Sequence, residues 1–306
     1  MIRLLAASEF LMNEDVTRGT FPALVTPFDE SGDVDFDAYG DVISHVERGG
    51  VDGLVPCGST GESATLTHEE HKRVVEYTVE NTDLPVIAGA GSNSTHEAIE
   101  LTKHAEEAGA DAALLISPYY NIPNPEGLKT HYRSVADEVD IPIILYNVPG
   151  RTGQNMPDDV MVELASHPNV AAVKEASGDI NQISRLCLRT KNLDFEVVSG
   201  DDSITLPLLS AGGSGVISVT SNLFPGDMTQ LVDLAREGDF EAARKKHQEL
   251  LPVFDTMFVE TNPIPVKIAM EKIGVCSGDL RLPLSRDIPD GSTEKIENVV
   301  ENYTEE

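Results

Sequence analysis

The chain has 306 residues, of which 40% are hydrophobic and 24% charged, a composition typical of globular proteins. No stretch approaches the roughly 20 apolar residues that cross a bilayer, which argues against a membrane protein. The 52 acidic and 22 basic residues give a net charge of −30, spread along the chain, and such a charge disfavours binding to nucleic-acid phosphates.

The acidic excess is of the kind found on the solvated surfaces of halophilic proteins, where self-repulsion strains the folded state in dilute buffer. We therefore expect thermal stability to rise with KCl concentration. The three cysteines, Cys57, Cys187 and Cys276, are widely spaced and odd in number. This pattern indicates a reducing, cytoplasmic compartment and neither a disulfide framework nor a zinc site. His68 and His71 have no third ligand nearby in sequence, so no metal is expected.

Short β-branched runs alternate along the chain with longer segments of helical periodicity. Strands are predicted at 23–26, 53–56, 86–90, 112–117, 141–147, 170–175, 196–199 and 216–219, and helices between them include 67–81, 95–108, 126–138, 157–165 and 180–188. Eight such alternations predict an α/β fold, a (β/α)8 TIM barrel, with a doubly wound open sheet as the alternative.

After the eighth run the pattern is helical, at 229–237, 240–258, 265–273 and 292–302. We expect residues 1–17 to be a poorly ordered leader and 18–226 to be the barrel core through strand 8. Residues 227–306 would hold the last barrel helix and a small C-terminal helical extension.

The sixth predicted strand ends in Lys174, which would place an amine where water is scarce. An ordinary lysine, with a pKa of about 10.4, is almost entirely protonated at pH 7, so an enzyme that uses a lysine imine must lower that pKa. The alternative is a lysine that closes a strand and points to solvent. Lys267, on a predicted helix after two prolines, is a weaker candidate amine.

In a (β/α)8 barrel the active site lies where strands end, so the residues that close the other runs are candidates as well. The loop 57–61 (CGSTG) has glycines and hydroxyls that could hold a carboxylate or phosphate. Tyr119, Tyr146 and Arg151 also follow strands. Each has a plain alternative, which is a tight turn for the loop, packing for the tyrosines and solvation for the arginine.

A series of motifs along the chain resembles that of the dihydrodipicolinate synthase and N-acetylneuraminate lyase family of class I aldolases. They are 58–63 (GSTGES), 119–121 (YYN), 146–152 (YNVPGRT), 173–176 (VKEA), 200–202 (GDD), 215–218 (GVIS) and 262–267 (NPIPVK). The similarity extends from about residue 18 to about residue 283. It implies a (β/α)8 barrel, usually a homotetramer, that uses pyruvate or similar keto acids without an added cofactor.

The resemblance also implies roles for single residues. Lys174 would form the Schiff base with pyruvate, and Tyr146 would be the neighbouring acid/base. Ser59 and Tyr120 would complete a hydroxyl relay with Tyr146, Tyr120 reaching in from a neighbouring subunit. The pyruvate carboxylate would be held by Ser59 and Thr60, and Gly200 and Ile217 would line the pocket mainly by backbone.

Arg151 distinguishes between members of the family. The lysine-pathway synthases condense pyruvate with L-aspartate 4-semialdehyde, and an arginine at this position holds the carboxylate of the semialdehyde. The alternatives are a 2-keto-3-deoxy sugar-acid aldolase and, in a different class, a catalytically silent barrel that binds a keto acid. Two residues depart from the family pattern: Ser59 replaces the commoner threonine, and Gly150 a frequent serine.

A further set matches the site where some of these synthases bind lysine as a feedback inhibitor. Its members are Ser63, Ala64, His68, His71, Asn93, Glu97 and Tyr119. Glu97 and His71 would receive the inhibitor's side-chain ammonium, and Tyr119 and Asn93 its carboxylate. A solvated helix face would explain His68 and Glu97 equally well.

Overall fold

The computed structural model describes residues 14–304, and its strands form one parallel sheet. The strands are β1 Gly19–Pro22, β2 Ile87–Gly89, β3 Ala112–Ile116, β4 Ile143–Asn147, β5 Val170–Glu175, β6 Glu196–Ser199 and β7 Gly215–Ser218. Their order in the sheet is β1-β7-β6-β5-β4-β3-β2. Sequence neighbours from β2 to β7 therefore pair with each other, and β1 pairs with β7.

The segment 53–56 closes the sheet between β1 and β2. The Leu54 N–H donates to the Pro85 carbonyl (2.8 Å), and on the other side the Val55 N–H donates to the Pro22 carbonyl (2.9 Å). This segment was predicted as a regular strand, but it forms only isolated bridges, to Ala23 and to Val86. The bonds on both sides nevertheless make a closed (β/α)8 barrel, so the open-sheet alternative is wrong.

The first strand lies four residues earlier than its predicted range of 23–26. The sequence did not predict β1 because it begins with Gly19 and ends with Pro22, and both residue types are uncommon within strands. Residues 23–26 do not continue the pairing with neighbouring strands, because the Val25 N–H donates to the side chain of Asn222 (3.1 Å) instead.

The helices confirm most of the predicted ranges to within a few residues. They are α1 Phe36–Arg48, α2 His68–Glu80, α3 Thr95–Ala108, α4 Pro125–Ala136, α5 Pro149–Thr152, α6 Asp158–Leu164, α7 Ile180–Thr190, α8 Thr205–Ser210, α9 Pro225–Arg236, α10 Phe240–Thr256, α11 Ile264–Lys272 and α12 Asp290–Thr304. Within residues 14–304, no helix combines the length and apolar character that a bilayer crossing requires.

The first 13 residues of the predicted leader lie outside the described part of the chain. Its last four, Glu14–Thr17, form a 3-10 helix, and Val16 is buried. After β7, the described residues continue through α9 to α12 without a further strand.

The alternation of side chains along β5 decides where its lysine points. Ala172 belongs to the cluster inside the barrel, whereas Val173 packs in the cluster between the sheet and the outer helices. Because successive side chains of a strand point to opposite faces, Lys174 faces the barrel interior and Glu175 faces outward. On β4, Ile144 and Tyr146 face inward for the same reason.

A buried ion pair ties the C-terminal helices to the barrel. Lys267 Nζ, on α11, lies 2.7 Å from Glu62 Oε1, and both side chains are fully buried. The same ammonium donates to the Thr26 carbonyl (2.8 Å) and lies 4.3 Å from the centroid of the Phe28 ring. Lys267 therefore has a structural environment, and the interior amine of the barrel is Lys174.

Lys267→Met should destabilise the fold by about 3–5 kcal/mol, because it leaves the buried Glu62 carboxylate without its partner. Urea unfolding followed by circular dichroism measures the change. The matched control is Lys272→Met on the same helix, which removes a half-exposed pair with Glu301 and should cost far less, because water screens that pair. Equal losses in the two variants would contradict the role assigned to the buried pair.

Candidate active site

A cavity of about 510 Å³ opens at the carboxyl ends of the barrel strands. Six of the predicted site residues line it, namely Ser59, Thr60, Tyr146, Arg151, Lys174 and Gly200. They come from five different strand-end loops or strands, which the barrel brings to one mouth. The structure thus assembles most of the predicted constellation in a single chain.

Lys174 lies buried at the wall of this cavity. Its side chain is only 6% exposed, and Nζ lies 4.4 Å from the centroid of the Tyr146 ring, since the two residues are paired on adjacent strands. Burial lowers the pKa of the Lys174 amine to about 7, with the negative charge of Asp202 raising the pKa and the positive charge of Arg151 lowering it. At pH 7 about half of the molecules would carry the neutral, nucleophilic amine.

Gly200 makes room for that side chain. It follows β6 at a position that faces the interior, and a Cβ built there would lie 2.8 Å from Lys174 Cε and 3.0 Å from the Ala176 Cβ. Since real Cβ atoms are not found so close to other atoms, the glycine is required by the path of the lysine. This is a steric role in addition to the predicted one of lining the pocket.

The loop after the closing segment presents free donors to the cavity. Within residues 14–304, the main-chain N–H groups of Ser59 and Thr60 have no protein acceptor. Cys57 and Glu62, which flank the loop, hold left-handed backbone angles (φ 55° and 53°), a costly conformation for residues other than glycine. Unpaired N–H groups in such a turn form a concave anion site, suited to a carboxylate.

Cys57 itself is a packing residue rather than a nucleophile. It is buried in the core, its thiol lies 3.5 Å from the His71 carbonyl oxygen, and burial raises the pKa of the thiol far above its usual range. A thiol held neutral in this way is not reactive.

Arg151 reaches the cavity from α5 and is fixed at one end. Its Nη2 donates to the main-chain carbonyl of Asn262 (2.8 Å), and the Asn262 side-chain Nδ2 donates to Thr60 Oγ1 (3.0 Å). The guanidinium also faces Tyr146 closely enough to affect the phenol. Burial raises the pKa of Tyr146 to about 12, with the positive charge of Arg151 acting in the opposite direction.

Two of the eight residues predicted for catalysis and substrate binding do not line this cavity. Tyr120 is 93% exposed on the loop before α4, with a left-handed φ of 70°, so it reaches no group of its own active site. Ile217 lies on β7 and belongs to the same cluster inside the barrel as Tyr146.

The predicted inhibitor set lies along one side of the same cavity. Ser63, Ala64, His68, His71, Glu97 and Tyr119 line it, and Asn93 does not. His68 Nε2 lies 2.9 Å from Glu97 Oε1, and the Ser92 hydroxyl donates to the other oxygen of Glu97. Burial lowers the pKa of His71 to about 4, so this imidazole is neutral at pH 7.

Sequence reasoning missed the contribution of two residues that border the site. Asn262 links Thr60 to Arg151, as described above. Asp202 is 1% exposed and accepts N–H groups from Val219 (3.2 Å) and Thr220 (2.8 Å), which fixes a carboxylate close enough to influence Lys174. The only signal in the sequence was their membership of the motifs 200–202 and 262–267.

Comparisons with known proteins agree with this geometry. A family model described as the dihydrodipicolinate synthetase family matches residues 16–302. This chain belongs to that family. A protein of Haloarcula marismortui named 4-hydroxy-tetrahydrodipicolinate synthase is 56% identical over 269 residues, which are 88% of each chain.

Two solved structures show the same fold. The dihydrodipicolinate synthase of Aquifex aeolicus is 46% identical, with a TM-score of 0.90 over 94% of this chain and 98% of that one. The enzyme of Cyanidioschyzon merolae, solved with lysine bound, is 40% identical, with a TM-score of 0.90 over 95% of this chain and 99% of that one. Family membership makes this chain a class I, pyruvate-dependent lyase, in agreement with the buried lysine.

Gly200→Ala should reduce the rate at which borohydride traps pyruvate on the lysine by about 100-fold, because the new methyl group displaces the amine from its position. Mass spectrometry of the Lys174 peptide measures the trapping. Gly291→Ala, where a Cβ would meet no atom within 4 Å, is the control and should trap like the unmodified protein. A normal rate in Gly200→Ala would show that the close contact does not constrain Lys174.

Proposed function

We propose that this chain is a 4-hydroxy-tetrahydrodipicolinate synthase, which condenses pyruvate with L-aspartate 4-semialdehyde in lysine and diaminopimelate biosynthesis. The observation that carries the proposal is the interior Lys174 amine, whose pKa is lowered to about 7 beside the Tyr146 ring. The name shared by the curated relatives and the presence of Arg151 in the cavity support it.

The chemistry begins at the keto group of pyruvate. The neutral Lys174 amine attacks the ketone carbon, a proton passes to the oxygen, and loss of water leaves a protonated imine. Removal of a proton from the methyl group gives an enamine, whose carbon attacks the aldehyde of the second substrate. A new carbon–carbon bond forms while the aldehyde oxygen takes up a proton, and no oxidant or cofactor is consumed.

Tyr146 is placed to move the protons of this sequence. Because burial raises the pKa of its phenol to about 12, the hydroxyl is protonated at pH 7 and can donate to the oxygen that departs as water. Ser59 lines the same cavity and supplies the next hydroxyl of the proposed relay. Hydroxyls transfer protons without placing a permanent negative charge next to the protonated imine.

The two carboxylates of the substrates have separate binding groups. The free N–H groups of Ser59 and Thr60, with the Thr60 hydroxyl, suit the carboxylate of pyruvate. Arg151 keeps N–H groups free for the carboxylate of the semialdehyde, since among the described contacts only Nη2 donates within the chain. This second group favours the synthase over a 2-keto-3-deoxy sugar-acid aldolase, and the reactive amine disfavours a silent keto-acid-binding barrel.

The relay would be completed by a second copy of the chain. Tyr119, Tyr120 and Ile122 form an exposed aromatic and aliphatic loop, an arrangement suited to an interface between subunits. In the homotetramer implied by the family, Tyr120 would then enter the neighbouring cavity, and Ile217 would contribute backbone to the pocket floor. The free cysteines support a reducing cytoplasm, and the net charge of −30 supports a halophilic acidic surface and a salt-rich environment.

Borohydride plus pyruvate should add the mass of a reduced pyruvate adduct to Lys174, and Arg151→Ala should retain that adduct while losing condensation. We expect kcat/KM for the semialdehyde to fall about 100-fold, because a bidentate charged hydrogen bond is removed. Mass spectrometry and a coupled condensation assay provide the two measurements. Cleavage of 2-keto-3-deoxygluconate at a higher rate than condensation would favour the aldolase, and failure of trapping would favour the silent barrel.

We also propose that lysine inhibits the enzyme at the wall formed by His68, His71, Glu97 and Tyr119, with Ser63, Ala64 and Asn93 at its edge. The Glu97 carboxylate is the acceptor for an ammonium, and the neutral His71 avoids repelling it. The Tyr119 hydroxyl is available for a carboxylate. Lysine bound to the Cyanidioschyzon merolae enzyme supports the proposal.

Millimolar L-lysine should lower the condensation rate, and Glu97→Gln should weaken the inhibition about tenfold by removing the charge that pairs with the ammonium. Steady-state rates against lysine concentration measure both effects. Glu100→Gln, three residues farther along α3 and exposed, is the matched control and should be inhibited normally. An unchanged rate in saturating lysine would rule out the inhibitor site.

A further inference from the structure

Asn262 is the residue that joins the two proposed carboxylate sites. It lies between α10 and α11, is 5% exposed, and lines the cavity wall. Its main-chain carbonyl accepts from Arg151 Nη2 (2.8 Å), and its side-chain Nδ2 donates to Thr60 Oγ1 (3.0 Å). Asn262 therefore contacts Arg151 of one site through its main-chain carbonyl and Thr60 of the other site through its side-chain amide.

The side-chain contact determines what the Thr60 hydroxyl can do. A hydroxyl has one hydrogen to donate, and a hydroxyl that accepts an amide N–H keeps this hydrogen for another partner. Among residues 14–304, the Thr60 hydroxyl donates to no protein group, and the residue is 3% exposed at the cavity wall. The hydrogen is thus left for an acceptor inside the cavity, next to the free main-chain N–H groups of Ser59 and Thr60.

A second contact holds the same two elements together. Lys267, in the first turn of α11, pairs with Glu62, two residues after Thr60. This buried ion pair fixes the loop 57–61 relative to α11 and to Asn262, which precedes that helix. The hydrogen bond between Asn262 and Thr60 is therefore a stable feature of the folded chain.

We propose that Asn262 is a positioning residue that directs the Thr60 hydroxyl hydrogen at the carboxylate of pyruvate and, through its carbonyl, holds the Arg151 guanidinium toward the second substrate. The inference rests on the proposed function and adds to it a residue that acts on pyruvate binding through its side chain alone. Substituting the side chain leaves the main-chain carbonyl in place, so the two substrates should respond differently.

Asn262→Asp is the most direct test, because it replaces the donor with an acceptor that captures the Thr60 hydrogen. We expect the pyruvate concentration for half-maximal trapping at Lys174 to rise about tenfold or more in this variant, and about threefold in Asn262→Ala. KM for the semialdehyde should change less than about twofold, since the carbonyl bond to Arg151 remains. Asn192→Asp, an exposed site before β6 at the opposite end of the barrel, controls for the added charge.

A double-mutant cycle separates positioning from a general structural effect. In a Thr60→Val background, Asn262→Ala should raise the half-maximal pyruvate concentration less than about twofold, because the hydroxyl it orients is gone. The proposal would be overturned if Asn262→Ala weakened pyruvate binding equally with and without the Thr60→Val change. It would also be overturned if the half-maximal pyruvate concentration and KM for the semialdehyde rose by the same factor.

Normal pyruvate binding in Asn262→Asp would overturn it as well, since this result means that the amide presents its oxygen to Thr60. Trapping in the unmodified protein is measured in the same series. If the unmodified protein is not trapped, the proposed function is contradicted. If it is trapped and the Asn262 variants bind pyruvate as tightly, only the role of Asn262 is contradicted.

Discussion

The site depends on the removal of water from one lysine side chain. Lys174 ends a strand whose alternation turns it into the barrel, where Gly200 leaves space for its methylene groups and the Tyr146 ring covers its nitrogen. The same burial that confines the amine lowers its pKa to about 7. Asp202, whose charge acts in the opposite direction, places a negative charge near the protonated imine formed during the reaction.

A chain with a net charge of −30 must still attract two anionic substrates. Among the acidic groups along the cavity, Glu62 is neutralised by its ion pair with Lys267, whereas Glu97 contacts His68 and Asp201 is hydrogen-bonded to the uncharged Ser203. Lys174 and Arg151 supply the positive charge for the substrate carboxylates. These nearby groups set the local potential, because charges elsewhere on the surface are screened within about 10 Å at moderate salt.

Local pattern was enough to predict β5 and the position of Lys174 near its end, because the apolar run 170–173 stops at a charged residue. The side to which the lysine points followed only from the structure. Local pattern was not enough for β1, where Gly19 and Pro22 conceal the strand, or for the closing segment, which is too short to form a regular ladder. The role of Asn262 depends on a contact between residues 202 positions apart, which only the packing of α11 against the barrel creates. Tyr120 was predicted from its motif, but it is exposed in the single chain, so the contribution we propose for it would need a second chain.

The pH dependence of Lys174 reactivity tests the central claim most directly. Competitive acetylation at a series of pH values, with each lysine peptide quantified by mass spectrometry, gives the pKa of every amine without any substrate. We predict a midpoint for Lys174 near pH 7, the value that burial imposes. A midpoint near about 10.4, the pKa of a lysine in water, would show that the Lys174 amine is solvated and charged at neutral pH, and would contradict the central claim.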